Sequence, residues 1–219
     1  HGETSTGVLT PLPELASLTH NYNAVFIADA VTSLGGHEVA LDQWDVDVCY
    51  SATQKCLGAP PGLSPISLGP RAMEVLRKRK SKVQSFYLNL VELEHYWQSG
   101  HIYHHTAPIS MVYGLREALR RLAEEGAQNR FSRHARNGAA LRAGLGALGL
   151  KLFAKPTHQL NPLTAALVPD GIDEARVRNR LRQEFNIDIG GGLGELQGRI
   201  WRIGLMGDSC IDTNVFALL

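Results

Sequence analysis

Residues 24–30 read AVFIADA, an apolar run of strand length that carries an acid, Asp29, near its end. Such a run is typical of a buried strand in a parallel sheet. Residues 46–51 (VDVCYS) and 62–68 (GLSPISL) have similar length and β-branched content. A glycine- and proline-rich connector, GAPPG at residues 58–62, leads into the last run. The pattern predicts an α/β fold with an open sheet in the first half of the chain.

Polar residues follow these predicted strands, at the edge where an open α/β sheet binds its ligands. Asp29 ends the first run, and Gln54 and Lys55 follow the second. Lys55 by itself is equally consistent with a surface lysine, whereas a carboxylate that ends a buried strand requires a partner. Together they suit a pyridoxal cofactor, because an amine forms an imine with its aldehyde and a carboxylate keeps its ring nitrogen protonated.

The second half of the chain has the periodicity of alternating helices and strands. Apolar residues spaced by three and four predict a helix over residues 109–125, and a second helix is predicted over 129–148. Asp173 is a suitable N-cap for a third. Strands are predicted over residues 164–168 and 198–205. The alternation predicts a small α+β domain, and we place its boundary near residue 110, giving an N-terminal portion 1–110 and a C-terminal portion 111–219.

Composition excludes several classes of function. Lysine and arginine total 22 against 21 acidic residues, so a net charge of +1 gives no field to attract nucleic acid or an anionic membrane. The basic run at residues 77–82 is interpreted as a solvated face. Three cysteines without C-x-x-C spacing favour a reducing compartment. With no apolar run of membrane-spanning length and no signal peptide, we expect a soluble, cytoplasmic protein.

Two weaker motifs are interpreted without a ligand. Gly144, Gly146 and Gly149 match G-x-G-x-x-G, but they end a predicted helix instead of opening one, so we interpret them as helix terminators. The histidines do not have the paired spacing of a zinc site, and we predict no metal. These histidines are His95, His101, His104 and His105.

Several motifs occur in an order that is typical of one enzyme family. They are residues 1–7 (HGETSTG), 29–36 (DAVTSLGG), 51–55 (SATQK), 59–62 (APPG), 103–106 (YHHT) and 201–204 (WRIG). Over essentially its whole length the chain resembles the C-terminal part of the alanine–glyoxylate / serine–pyruvate aminotransferases, within the class V group of fold-type I pyridoxal-phosphate enzymes. The resemblance implies that residues 1–110 form the C-terminal portion of the cofactor-binding large domain. Residues 111–219 would then form an interdomain helix and the small domain.

The resemblance assigns four residues to the cofactor ring. Lys55 would hold pyridoxal 5'-phosphate as a Schiff base and later carry a proton between the substrate and the cofactor. Asp29 would pair with the ring nitrogen, and Val31 would pack against the ring face. Thr4 would hydrogen-bond near the phenolic oxygen, where relatives often carry serine.

Four further residues are assigned to the phosphate and the substrate. Gln54 would bind the cofactor phosphate, while Tyr103 and Thr106 would reach the phosphate of a neighbouring subunit, which implies a homodimer with shared sites. Arg202 would bind the substrate α-carboxylate, a task suited to its planar, bidentate guanidinium.

The implied reaction moves an amino group from alanine or serine to a small 2-oxo acid such as glyoxylate. A cysteine desulfurase is disfavoured, because those enzymes resemble one another in having histidine where this chain has Gln54. Relatives are considerably longer, and the missing N-terminal half would carry a phosphate loop at a helix N-terminus. Serine–glyoxylate transfer and a non-catalytic fragment therefore stay open as alternatives, and so does a peroxisomal signal, since the C-terminus looks truncated.

Overall fold

Strands and helices alternate along the chain in the computed structural model, which describes residues 1–99 and 103–219. The strands in these ranges are β1 (Gly2–Glu3), β2 (Val8–Leu9), β3 (Ile27–Asp29), β4 (Val48–Tyr50), β5 (Ile66–Leu68), β6 (Leu163–Leu167), β7 (Gly190–Gly191) and β8 (Ile200–Gly204). The α-helices are α1 (Leu12–Asn21), α2 (Pro70–Arg77), α3 (Leu90–Ser99), α4 (Ile109–Glu125), α5 (Ala127–Ala147), α6 (Glu174–Phe185) and α7 (Asp212–Leu218).

The three apolar runs of the first half form one sheet in the order β3-β4-β5. β3 and β4 are parallel, as predicted, whereas β4 and β5 are antiparallel. Each strand is shorter than its predicted run. The β3 run is shortened because the backbone N–H of Phe26 donates to the Asp47 carboxylate, at 2.8 Å, instead of to a neighbouring strand.

The two faces of this sheet have different surroundings. Ala28 and Cys49 point into a core that includes Leu12 of α1. On the opposite face Ile27 is 61% exposed and Ile66 48% exposed, so that face is open to solvent. The prediction of a strand buried on both faces is therefore wrong for β3. Alternation along a strand sends neighbouring side chains to opposite faces. Among the described residues, a helix covers only the face of Ala28 and Cys49.

The second half contains an antiparallel sheet in the order β6-β8-β7. β6 and β8 lie close to the predicted ranges, and α4 spans the predicted residues. α6 begins after Asp173, whose side chain accepts a hydrogen bond from the backbone N–H of Arg176 at 3.0 Å, so the predicted N-cap is confirmed. β7 corrects one expectation. Its glycines have no side chains to alternate, so the sequence predicts no strand over Gly190 and Gly191, yet they pair with Trp201 and Arg202 of β8.

In the described part of the chain, buried apolar side chains form two clusters. One packs Leu12 beneath the first sheet, and the other packs Leu141 and Leu145 of α5 against the second sheet. The hairpin of β1 and β2 reaches the second half, because the N–H of Leu160 donates to the carbonyl of Gly7 at 2.9 Å. The boundary near residue 110 stays a prediction. No helix within residues 1–99 and 103–219 is long and apolar enough to cross a membrane.

Candidate active site

A cavity of about 270 Å3 lies beside the carboxyl end of β3. It collects residues from three separated segments, as expected for the ligand edge of an α/β sheet. The residues that line it are His1, Gly2, Glu3, Thr4, Thr10, Asp29, Val31, Thr32 and Lys55. Four of the residues assigned by resemblance, Thr4, Asp29, Val31 and Lys55, thus share one cavity.

Asp29 is the last residue of β3. Its Oδ1 accepts a hydrogen bond from the backbone N–H of Val31 at 2.8 Å, which fixes the carboxylate at the cavity wall. Tyr50 lies opposite Asp29 in the parallel pair, and its hydrogen bond to the Asp29 carboxylate raises the pKa of Tyr50. The side chain of Asp29 is exposed, so the expected burial of this acid is not seen in the chain as it stands.

Lys55 begins a tight turn after β4. The N–H of Gly58 donates to the carbonyl of Lys55 at 3.0 Å, and Gly58 adopts a φ of 75°, which a glycine tolerates without strain. The N–H of Ala59 donates to the carbonyl of Thr53 at 3.0 Å and closes the loop. The half-buried Lys55 side chain is thereby held at the cavity by a backbone that the glycine- and proline-rich connector specifies.

Thr4 lies in the turn between β1 and β2. This turn is held by Glu3, whose Oε1 accepts hydrogen bonds from the N–H and the hydroxyl of Ser5 at 2.8 and 2.6 Å. The hydroxyl bond from Ser5 lowers the pKa of Glu3. Gly7 follows at a φ of 69°, and its N–H donates to the carbonyl of Glu3 at 2.9 Å. Thr4 therefore stands on a defined backbone turn.

Arg202 lies next to the cavity without lining it. Its Nη1 donates to the carbonyl of Thr4 at 3.0 Å, and its Nε donates to the carbonyl of Gly191 at 2.6 Å. A Cβ added at Gly190 would lie 3.3 Å from Nη2 of Arg202. The guanidinium is thus held between the turn that carries Thr4 and the glycines of β7. It also borders a second cavity of about 620 Å3.

Besides Arg202, three residues assigned by resemblance do not line the cavity that contains Lys55. Gln54 is exposed, although it precedes Lys55 directly. Tyr103 and Thr106 are also exposed, and their hydroxyl groups hydrogen-bond to each other. Their contacts to a phosphate stay predictions.

The motifs interpreted without a ligand lie outside this cavity. Gly144 and Gly146 belong to the last turns of α5 and Gly149 follows it at a φ of 80°, so their interpretation as the end of a helix is confirmed. His101 lies outside the described residues. Within the described ranges, no group of three or more histidine, cysteine or acidic side chains is arranged to hold a metal ion.

Cys56, beside Lys55, is a buried thiol. Burial raises its pKa to about 12, and its thiol donates to the carbonyl of Thr32 at 3.3 Å. A thiol with so high a pKa is a poor nucleophile. Cys56 therefore acts as a small buried residue of the turn.

The cavity residues fit a pyridoxal-type cofactor. Such a group needs an amine for its aldehyde and a carboxylate for its ring nitrogen, and Lys55 and Asp29 supply this pair in one cavity. The Thr4 hydroxyl and the apolar Val31 add a hydrogen-bonding group and a surface for the ring. The cavity volume is close to the roughly 300 Å3 at which small-molecule sites begin.

Sequence reasoning missed three residues near this site. His1 and Glu3 occur in a motif that was recognised, but no role was assigned to them. Tyr50 was signalled only by its position at the end of a strand parallel to β3, since equivalent positions of parallel strands meet at one edge.

Comparison with known proteins identifies the fold and the family of the chain. The fold is that of the fold-type I pyridoxal-phosphate transferases, because an alanine–glyoxylate aminotransferase from Nostoc sp. superposes with a TM-score of 0.96 and 45% identity. That comparison covers 100% of this chain and 58% of the Nostoc chain. The family model described as "Aminotransferase class-V" matches residues 1–196. The chain belongs to the class V aminotransferase family.

Two curated relatives have similar identities. The (S)-ureidoglycine–glyoxylate transaminase of Bacillus subtilis is 40% identical to this chain, and the alignment covers 100% of this chain and 57% of the transaminase. The alanine–glyoxylate aminotransferase of Callithrix jacchus is 42% identical, and the alignment covers 98% of this chain and 53% of that aminotransferase. The chain therefore spans just over half the length of these relatives.

Proposed function

We propose that this chain forms the lysine-bearing part of a pyridoxal-phosphate-dependent aminotransferase. The observation that carries the proposal is the shared cavity of Lys55 and Asp29. Bound at Lys55, the cofactor supplies a ring that accepts electrons from the substrate α-carbon. Neither residue alone has this significance, because a lone lysine or acid at a strand end is common on protein surfaces.

The residues of the chain would divide the work as follows. Asp29, fixed by the N–H of Val31, holds a proton on the ring nitrogen. Lys55 provides the amine and moves a proton at the substrate α-carbon with its Nζ. Val31 packs on the ring and Thr4 orients its phenolic edge. Gln54 contributes to phosphate binding.

The substrates follow from Arg202 and from the relatives. A guanidinium held by two backbone carbonyls presents its remaining N–H groups to a carboxylate, as an α-amino acid or 2-oxo acid requires. The three relatives described above share glyoxylate in their names, which supports glyoxylate as the amino acceptor. We propose alanine as the donor, with serine as the close alternative.

The neighbouring subunit would contribute Tyr103 and Thr106. Both residues are exposed and do not line the Lys55 cavity, which is the arrangement expected if they serve a site in a second copy. Exposed aromatic side chains also precede them in the sequence, and Tyr87 and Trp97 are 60% and 76% exposed. We therefore propose a homodimer. Sedimentation of the chain with and without the cofactor tests it, and a monomer under both conditions contradicts it.

A second candidate is a non-catalytic fragment. It is favoured by the coverage of the relatives and by the absence of Gln54, Tyr103 and Thr106 from the residues that line the described cavity. For both candidates we propose a cytoplasmic location, which cell fractionation tests.

Titration of the chain with pyridoxal 5'-phosphate separates the two candidates. We expect saturable binding that borohydride fixes covalently on the peptide containing Lys55, and a screen of amino donors with glyoxylate then identifies the substrate pair. Lys155, an exposed lysine, gives the matched control variant, Lys155→Ala beside Lys55→Ala. No binding would favour the non-catalytic fragment, and equal binding by the Lys55→Ala chain would contradict the assignment of Lys55.

A further inference from the structure

Three segments of the chain meet at the buried side chain of Arg130, near the start of α5. Arg130 is 1% exposed. Its Nε donates to the carbonyl of Gly35 at 3.0 Å, its Nη2 to the carbonyl of Cys56 at 2.9 Å, and its Nη1 to Oε2 of Glu125 at 2.9 Å. One guanidinium thus joins the loop after β3, the loop after β4 and the junction of α4 and α5.

The contact with Cys56 falls on the turn that carries Lys55. In this turn the carbonyl of Lys55 accepts the N–H of Gly58, whereas the carbonyl of Cys56 points out of the turn towards Arg130. A hydrogen bond to that carbonyl fixes the plane of the peptide that follows Cys56. Together with the thiol contact to Thr32, it ties the residue next to Lys55 on two sides.

A second element holds the same turn from the direction of β8. Gly207 adopts a φ of 59°, and a Cβ added there would lie 3.2 Å from the carbonyl oxygen of Cys56 and 3.4 Å from Nη2 of Arg130. Its N–H donates to Nε2 of the buried His134 at 3.1 Å. The lysine turn is therefore packed between Arg130 and a backbone segment that only glycine fits.

We propose that Arg130 is a positioning residue for Lys55, which it orients through the carbonyl of Cys56. The inference rests on the proposed function, in which the Lys55 amine captures the cofactor. Arg130 itself does not line the cavity. A fork of fixed geometry suits this task, because it satisfies two carbonyls and a carboxylate at once, whereas a lysine ammonium is a single point charge.

Arg133 provides a matched control on the same helix. Its Nε and Nη2 donate to Glu125 at 2.6 and 2.8 Å, and its Nη1 donates to the carbonyls of Gly207 and Cys210 at 3.0 and 2.6 Å. It shares the carboxylate and the Gly207 segment with Arg130. None of these hydrogen bonds reaches the Lys55 turn. Loss of Arg133 therefore weakens the same junction and leaves the Cys56 carbonyl bonded.

The test compares Arg130→Gln with Arg133→Gln in the whole 219-residue chain. Hydrogen exchange without the cofactor is measured on peptides that contain the amides of Gly58 and Ala59. We expect exchange about ten-fold faster in Arg130→Gln than in Arg133→Gln, the factor that corresponds to one lost hydrogen bond to a charged group. Where Arg130→Gln does not fold, Arg130→Lys and Arg133→Lys keep the charge beside Glu125 and replace the pair.

Capture of pyridoxal 5'-phosphate, followed by borohydride and peptide mass, is the second readout. We expect about ten-fold weaker capture in the Arg130 variant than in the Arg133 variant. Equal exchange and equal capture in the two variants overturn the proposal. If the wild-type chain captures no cofactor, the proposed function fails, and the exchange comparison still decides whether Arg130 holds the turn.

Discussion

At the scale of single residues, Arg202 is held in place by the chain itself. Its two hydrogen bonds to backbone carbonyls remove much of the rotamer freedom that an arginine would otherwise lose on binding a carboxylate. The carbonyl of Thr4 is one of these acceptors, so a residue assigned to the cofactor and a residue assigned to the substrate share one contact. Replacement of Arg202 should therefore also disturb the turn that carries Thr4.

Replacement of Arg202 tests its assignment to the substrate carboxylate. In a chain that shows aminotransferase activity, we expect Arg202→Ala to raise KM for the oxo acid by about 10- to 100-fold, since a hydrogen-bonded charge pair contributes roughly 1.5–3 kcal/mol. Arg199, exposed just before β8, gives the control Arg199→Ala. Steady-state kinetics with glyoxylate checks the prediction, and an unchanged KM in Arg202→Ala contradicts the assignment.

His134 gives a pH dependence of stability. Burial lowers its pKa to about 4, and the neutral ring donates from Nδ1 to the carbonyl of Arg130 and accepts the N–H of Gly207. In the unfolded chain His134 becomes protonated below a pH of about 6.5, whereas in the folded chain it stays neutral down to about pH 4. The free energy of unfolding should therefore fall by about 2–3 kcal/mol as pH falls through that window.

Urea denaturation at several pH values measures this effect. His134→Gln should flatten the dependence between pH 6.5 and 4, the two pKa values that bound the window. The exposed His158 supplies the control His158→Gln, which should keep the wild-type slope. A wild-type slope in His134→Gln would show that another group is responsible.

At the scale of elements, the glycines of α5 have opposite roles. A Cβ added at Gly138 would lie 2.8 Å from the backbone oxygen of Asn161, whereas nothing lies within 4 Å of one added at Gly146. We expect Gly138→Ala to destabilise the chain by about 1–3 kcal/mol through overpacking. Gly146→Ala should stabilise it by up to about 0.5–1 kcal/mol. Chemical denaturation of both variants checks the signs, and the same sign for both contradicts the prediction.

The elements also show what a sequence reveals and what it does not. The proximity of Asp29 and Lys55 was predictable, because Asp29 ends one apolar strand, Lys55 follows another, and each lies in an ordered motif. β7 was not, since Gly190 and Gly191 have no side chains to alternate. Arg130 could not be found either, because its partners Gly35 and Cys56 are 95 and 74 residues away in sequence and leave no local pattern.

At the scale of the whole molecule, two apolar clusters predict two units of stability. Leu141 is 0% exposed in the second cluster and Leu12 is 3% exposed in the first. Leu141→Ala should cost about 2–5 kcal/mol and speed hydrogen exchange in β6 and β8. Leu12→Ala should act mainly on β3 and β4. If either variant speeds exchange equally in both sheets, the chain is one cooperative unit and the boundary near residue 110 is wrong.

The open face of the first sheet also affects how the polypeptide behaves in concentrated solution. Ile27, Tyr50 and Ile66 form an unprotected apolar surface beside strands whose outer edges are unpaired in the described part of the chain. Such surfaces attract one another, more strongly in sulfate and less so when a charge interrupts them. Light scattering should therefore increase steeply with concentration, and Ile66→Lys should suppress it.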